Sequence, residues 1–207
     1  MTLTLIDFDN WERREHYLHF INEVRCSYSV CINLDISNLN GQRLYPAMLW
    51  LLTRTVNEMP EFRTSLTENG LGYYSEMHPA YTVFNPDAKT FSGIWTAYQP
   101  DYPSFLRGYE EDAGKYSSTT QYEPKPGRPA NSFDVSMVPW FSFSAFNLNI
   151  FSDGTYLLPI FTMGKTFEEN EKTMLPLAIQ VHHAVCDGYH LGKFIETLQA
   201  NINKFDA

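Results

Sequence analysis

The segment Leu175-Pro-Leu-Ala-Ile-Gln-Val-His-His183 leaves few choices for the fold. It is apolar along most of its length and is closed by Asp187-Gly188. A strand with one wet face alternates apolar and polar residues. A nearly continuous apolar run reads instead as a strand covered on both faces. Directly behind it the period changes, and Leu191, Phe194, Ile195, Leu198 and Ile202 share one helical face. A covered strand that feeds an amphipathic helix through a tight turn requires helices layered on a sheet.

The rest of the chain supports that plan. Ser27 to Ile36 alternates, with Tyr28, Val30, Ile32, Leu34 and Ile36 on one side and Ser29, Cys31, Asn33 and Asp35 on the other. A first helix is expected from Asp9 or Asn10, with Tyr17, Phe20, Ile21 and Val24 on one face. Arg13 and Arg14 fall near its start, where the helix dipole disfavours cations, which points to a partner carboxylate. A second helix opens at Tyr45-Pro46 and stops before Pro60, and a third begins at Pro103. Further strands are expected over Leu71–Phe84, Phe91–Ala97, Phe141–Ile150 and Tyr156–Thr162. Residues 114–132 read as a loop. The expected fold class is α/β: a two-layer sandwich, with a mixed, mostly antiparallel sheet and helices packed on it. The 207 residues are expected to form one domain, large enough to need no disulfide or metal.

Composition narrows the function. The chain has 24 acidic and 15 basic residues, a net charge of -9, and no clustered cations. That field repels phosphate backbones, so no nucleic-acid partner is expected. Cys26, Cys31 and Cys186 form an odd, sparse set with no C-x-x-C pair, as expected of reduced thiols in a cytosol. The N-terminus has no signal-peptide pattern, and no apolar run approaches the ~18 residues of a membrane span. A cytoplasmic protein without membrane contact is expected.

The segment richest in chemistry is His182-His183-Ala184-Val185-Cys186-Asp187-Gly188. Neighbouring strand residues face opposite ways, so the two histidines cannot share a role. One fits a general base for a hydroxyl at neutral pH. Packing at a strand end explains such a pair equally well on these residues alone, and a metal site lacks a third ligand cluster. Asp187-Gly188 by itself is only a turn signal.

The full string H-H-x-x-x-D-G resembles the signature of the CoA-dependent acyltransferases. The sequence around it, Leu177 to His190, is similar to the chloramphenicol acetyltransferase version. So are Asn10-Trp11-x-Arg13-Arg14-Glu15, Ser136-Met137-Val138-Pro139-Trp140 and Phe161-Thr162-Met163-Gly164-Lys165, in the same order along residues 8–200.

That resemblance implies acetyl transfer from acetyl-CoA to the primary hydroxyl of chloramphenicol, with His183 as general base and no resident cofactor or metal. It implies that Asp187 pairs with Arg13, that Ser136 holds the oxyanion and that Thr162 supports the intermediate through a water. Phe20, Cys26, Phe91, Phe146 and Leu148 match the acceptor pocket, and Lys165 is a candidate for a CoA phosphate, with a solvated surface lysine an equal reading. The family is a homotrimer with active sites between subunits. Two alternatives remain: a related O-acyltransferase with another acceptor, and a non-catalytic binding protein on the same fold. A 2-oxo-acid dehydrogenase core would bring a lipoyl domain and linkers, and a condensation domain would be about twice as long.

Overall fold

The computed structural model describes residues 2–150 and 153–206. Its main sheet has seven strands: β2 (Ser27–Asp35), β5 (His78–Asn85), β6 (Thr90–Trp95), β7 (Ser132–Met137), β8 (Ile160–Met163), β9 (Phe167–Glu169) and β10 (Lys172–His182). The order across it is β2-β10-β8-β7-β5-β6, with β9 also paired to β10. All pairings are antiparallel except β5 with β7 and β7 with β8. A smaller sheet joins β1 (Leu3–Leu5), β4 (Gly70–Tyr74) and β3 (Thr64–Thr67) in the order β1-β4-β3.

Strand β10 holds the large sheet together. Pro176 lies inside it, where a missing N–H would normally break a ladder. It is tolerated because β10 changes partner there, from β9 over Lys172–Met174 to β8 over Leu177–Gln180. The side chains of Leu175, Leu177, Ile179 and Val181 are buried in the core beside Phe161, Met163, Val135 and Phe133.

Among the described residues, four α-helices complete the fold: α1 (Arg14–Leu18), α2 (Leu44–Glu58), α3 (Tyr102–Tyr116) and α4 (Gly188–Asn203). Helix α2 is buried from Pro46 to Val56 except at Arg54. Its two buried threonines return their hydroxyls to the helix, Thr53 to the Leu49 carbonyl and Thr55 to that of Leu51. Asp101 caps α3 by accepting from the Ser104 N–H. Phe194 of α4 stacks between Phe62 and Phe161, at centroid distances of 4.3 and 5.4 Å.

Several local expectations change. The first helix is only five residues long and continues as a π-helical turn over His19–Glu23, where the Val24 N–H reaches the His19 carbonyl. That wider turn re-aims Phe20. The Leu71–Phe84 segment divides into β4 and β5, and α3 runs to Tyr116, so the loop is 117–131. The Tyr156–Thr162 strand is confined to β8, from Ile160 to Met163. β7 lay outside the expected strands, although Phe133, Val135 and Met137 alternate.

The Phe141–Ile150 strand does not form. The segment crosses the sheet face, where no ladder edge is open. The Lys165 N–H bonds the Phe141 carbonyl, Phe143 packs over Gly164, and the Phe146 N–H meets Cys31 Sγ at 3.2 Å.

Candidate active site

The turn after β10 is tied down from three sides. The His183 N–H donates to the Cys26 carbonyl at 2.8 Å, which extends the β2–β10 ladder by one residue. Arg13 Nη1 donates to Asp187 Oδ2 at 2.6 Å, and Nη2 reaches the His183 carbonyl at 3.3 Å. Asp187 also caps α4 through its other oxygen, accepting from the N–H groups of Tyr189 and His190. The carboxylate therefore fixes both the helix start and, through Arg13, the backbone of His183. Burial alone would raise the Asp187 carboxyl. The Arg13 hydrogen bond, His190 and the capping N–H outweigh it and hold the carboxyl at about 2.

The two histidines divide as strand parity requires. His182 is 2% exposed, and its Nδ1 accepts the Ala184 N–H at 3.1 Å. Desolvation lowers its pKa, so it stays neutral and packs. The His183 ring lies parallel to Phe20, with centroids 4.0 Å apart and planes 5° apart, and meets Tyr28 at 5.2 Å. Its Nδ1 is buried, which leaves Nε2 as the nitrogen able to face a substrate. Tyr28 escaped notice as a site residue because its place beside His183 depends on the β2–β10 register. The Cys186 thiol, 1% exposed, is pushed up to about 12 by burial and by the Asp187 and Glu61 charges. It is a protonated packing group.

A second group of residues gathers elsewhere. Ser136 and Thr162 are partners in the β7–β8 ladder, and their hydroxyls lie 3.1 Å apart. Thr162 pairs in turn with Ala178, and Ala178 with Cys31. Partners in a ladder point to the same side. Ser136, Thr162, Ala178 and Cys31 thus form one row on the face away from the buried Leu177, Ile179 and Val181. Phe146 and Leu148 close over this row, lining a small pocket with Thr162 and Ala178. Phe91 pairs with Phe84 further along the same face and is 49% exposed. Lys165 is exposed just past β8.

One chain therefore brings together His183, Asp187, Arg13, Phe20 and Cys26, and separately Ser136, Thr162, Phe91, Phe146 and Leu148. It does not bring the two groups together. Ser136 is level with Ala178, while His183 is five residues further along β10 and on the opposite face. At the usual strand rise that is on the order of 15 Å. Among the described residues, no cluster of three or more His, Cys, Asp or Glu side chains could hold a metal ion, and no helix is long and apolar enough to cross a membrane.

The comparisons with known proteins agree with one another. The family model for chloramphenicol acetyltransferase matches residues 1–199. A chloramphenicol acetyltransferase of Campylobacter coli is 48% identical over 207 residues, covering 99% of this chain and 100% of that protein. One of Clostridium perfringens is 45% identical over 213 residues, covering 100% and 97%. A solved chloramphenicol acetyltransferase superposes with a TM-score of 0.84 at 19% identity, over 97% of this chain and 100% of that one. The dihydrolipoamide acetyltransferase of Azotobacter vinelandii gives 0.70 at 17% identity, over 99% and 97%. These two share the layered α/β fold described above. With a matching family model over nearly its whole length and relatives this similar from end to end, the chain belongs to the chloramphenicol acetyltransferase family.

Proposed function

We propose that this chain, working as one domain, transfers an acetyl group from acetyl-CoA to the primary hydroxyl of chloramphenicol and so confers resistance to it. The observation that carries this reading is His183, its backbone tied down and its imidazole stacked on Phe20, in a chain 45–48% identical from end to end to curated chloramphenicol acetyltransferases. A sequestering protein has no use for a base held this way.

His183 Nε2 takes the hydroxyl proton as the oxygen attacks the thioester carbonyl. Ser136 donates to the oxyanion of the tetrahedral intermediate. Collapse expels the CoA thiolate, which recovers the proton from His183. Thr162, 3.1 Å from Ser136, orients that hydroxyl directly. Arg13 and Asp187 hold the turn. Phe20, Cys26, Phe91, Phe146 and Leu148 line the acceptor's path, and Lys165 offers a cation to a CoA phosphate. Acetyl-CoA is a cosubstrate, and the cytoplasm is where it is met. Ser136→Ala should lower kcat ~10²–10³-fold in a thiol-release assay while the protein stays folded.

The separation of Ser136 from His183 favours a site assembled between subunits of a homotrimer. Phe84, Phe91, Trp140, Phe141, Leu148 and Ile150 are large apolar side chains left exposed in the single chain, as an unmade interface would leave them. Complementation tests this. Co-expressed His183→Ala and Ser136→Ala chains should give a trimer population with about a quarter of wild-type activity, since random assembly pairs an intact base with an intact serine at that frequency. Activity no higher than that of either variant alone would mean both residues serve from one chain.

The primary test is release of free CoA thiol from acetyl-CoA on adding chloramphenicol. Release independent of chloramphenicol, or none at all, would remove the acceptor assignment.

A further inference from the structure

The geometry points to Lys125 as a positioning residue for the acceptor side of the site, an inference that rests on the acetyltransferase reading above. The loop 117–131 joins α3 to β7 without regular structure, so its shape depends on its tethers. Lys125 is the most heavily engaged. Its Nζ donates to Asp112 Oδ1 of α3 at 2.6 Å and to the Trp95 carbonyl of β6 at 2.8 Å. The same ammonium lies 4.0 Å from the centroid of the Trp95 ring. The other Asp112 oxygen accepts from Thr96 Oγ1 at 2.7 Å, and Thr96 meets the buried Tyr81 hydroxyl at 2.8 Å. One ammonium thus joins loop, helix and strand through a chain that ends in the core.

Exposed ion pairs contribute little, but this one is largely withdrawn from water, with side chains 16% and 18% exposed. Removing Lys125 leaves a largely buried carboxylate with Thr96 but without its cation. The loop would then keep its ties to Ser92, Gly93 and Trp95 of β6 but lose the ion pair that joins it to α3.

The consequence falls on the acceptor side. The Gly93 N–H donates to the Tyr122 carbonyl at 2.6 Å, and the Tyr122 ring meets Phe91 edge-on at 6.0 Å. Tyr122 extends the wall that Phe91 begins. Under the loop lies a cavity of about 200 Å³ lined by Thr82, Gly93, Trp95, Tyr122, Lys125 and Asp134. By register, Thr82, Gly93, Trp95 and Asp134 share the face of Ser136. The ties that hold His183, from Cys26, Arg13 and Asp187, use no residue of this loop. Losing the anchor should therefore displace the acceptor wall and spare the base and the acetyl-CoA end.

The test uses the full chain with Lys125→Met and Asp112→Asn, and Lys125→Arg to keep the charge. In the thiol-release assay Lys125→Met and Asp112→Asn should raise KM for chloramphenicol roughly tenfold, with kcat and KM for acetyl-CoA within about twofold of wild type. Lys125→Arg should return KM for chloramphenicol toward wild type. Chymotryptic cleavage after Tyr122, followed by mass, should speed up in Lys125→Met. A fall in kcat with both KM values unchanged would show a merely structural residue and overturn the proposal. If wild-type protein releases no thiol, the function fails separately. The anchor is then judged by cleavage, and an unchanged rate at Tyr122 overturns it.

Discussion

Replacing His183 with alanine is expected to remove nearly all acetyl transfer and leave the fold in place. Deleting a general base costs ~10²–10⁴-fold in rate, and the loss here should reach the top of that range. Among the described residues, the two nearest candidates in sequence are not ready to replace it. His182 is buried and held by the Ala184 N–H, and the Cys186 thiol is kept protonated by burial. The fold should survive because His183 is tied down through its backbone, by Cys26 and Arg13, and alanine keeps both bonds. The packing given up is the ring's stack on Phe20 and its tilted contact with Tyr28. The measurement is kcat for thiol release beside a urea unfolding curve. Unchanged kcat would dismiss His183 as the base. Activity lost together with the folded baseline would make it a packing residue.

The second large effect is expected at the Arg13–Asp187 pair. Arg13 is 15% exposed in its side chain and Asp187 32%. Asp187→Ala removes the ion pair and the cap of α4 together, and should cost about 2–3 kcal/mol. The value sits below that for a fully buried pair because water still reaches the carboxylate. Activity should fall as well, since the turn that carries His183 loses its brace. The pH dependence follows from a carboxyl held at about 2 in the folded chain, against about 3.9 in an unfolded one. Its contribution is complete above about pH 4 and is lost as pH falls from there toward 2. The stability gap between wild type and Asp187→Asn, read from urea midpoints, should therefore be widest at neutral pH and should narrow on acidification through that window. A gap that does not change with pH would mean that the pair does not stabilise the fold through its charge.

Much of the fold was legible because its signals are local. The alternation of Ser27–Ile36, the dense apolar run of β10 and the helical face of Leu191–Ile202 all lie within short windows, and each became the expected element. The turn at Asp187-Gly188 was legible in the same way, whereas the cap that Asp187 places on α4 emerged only in the structure. The failures were local readings of segments whose state depends on neighbours. Phe141–Ile150 has the composition of a strand, but it lies across a face whose ladders are already filled. Phe20 has core-like spacing, but a π-helical turn brings it onto the imidazole.

The motif residues themselves, His183, Asp187, Arg13 and Ser136, could be picked out in one dimension through resemblance. The acidic balance, a net charge of -9, is read from composition alone. What tertiary structure decided is which of them meet. Arg13 and Asp187 are 174 positions apart and touch only because α1 packs against the β10 turn. Ser136 and His183 are nearer in sequence, yet they lie on opposite faces of the sheet, because face and row follow from strand register, which exists only once the strands have paired.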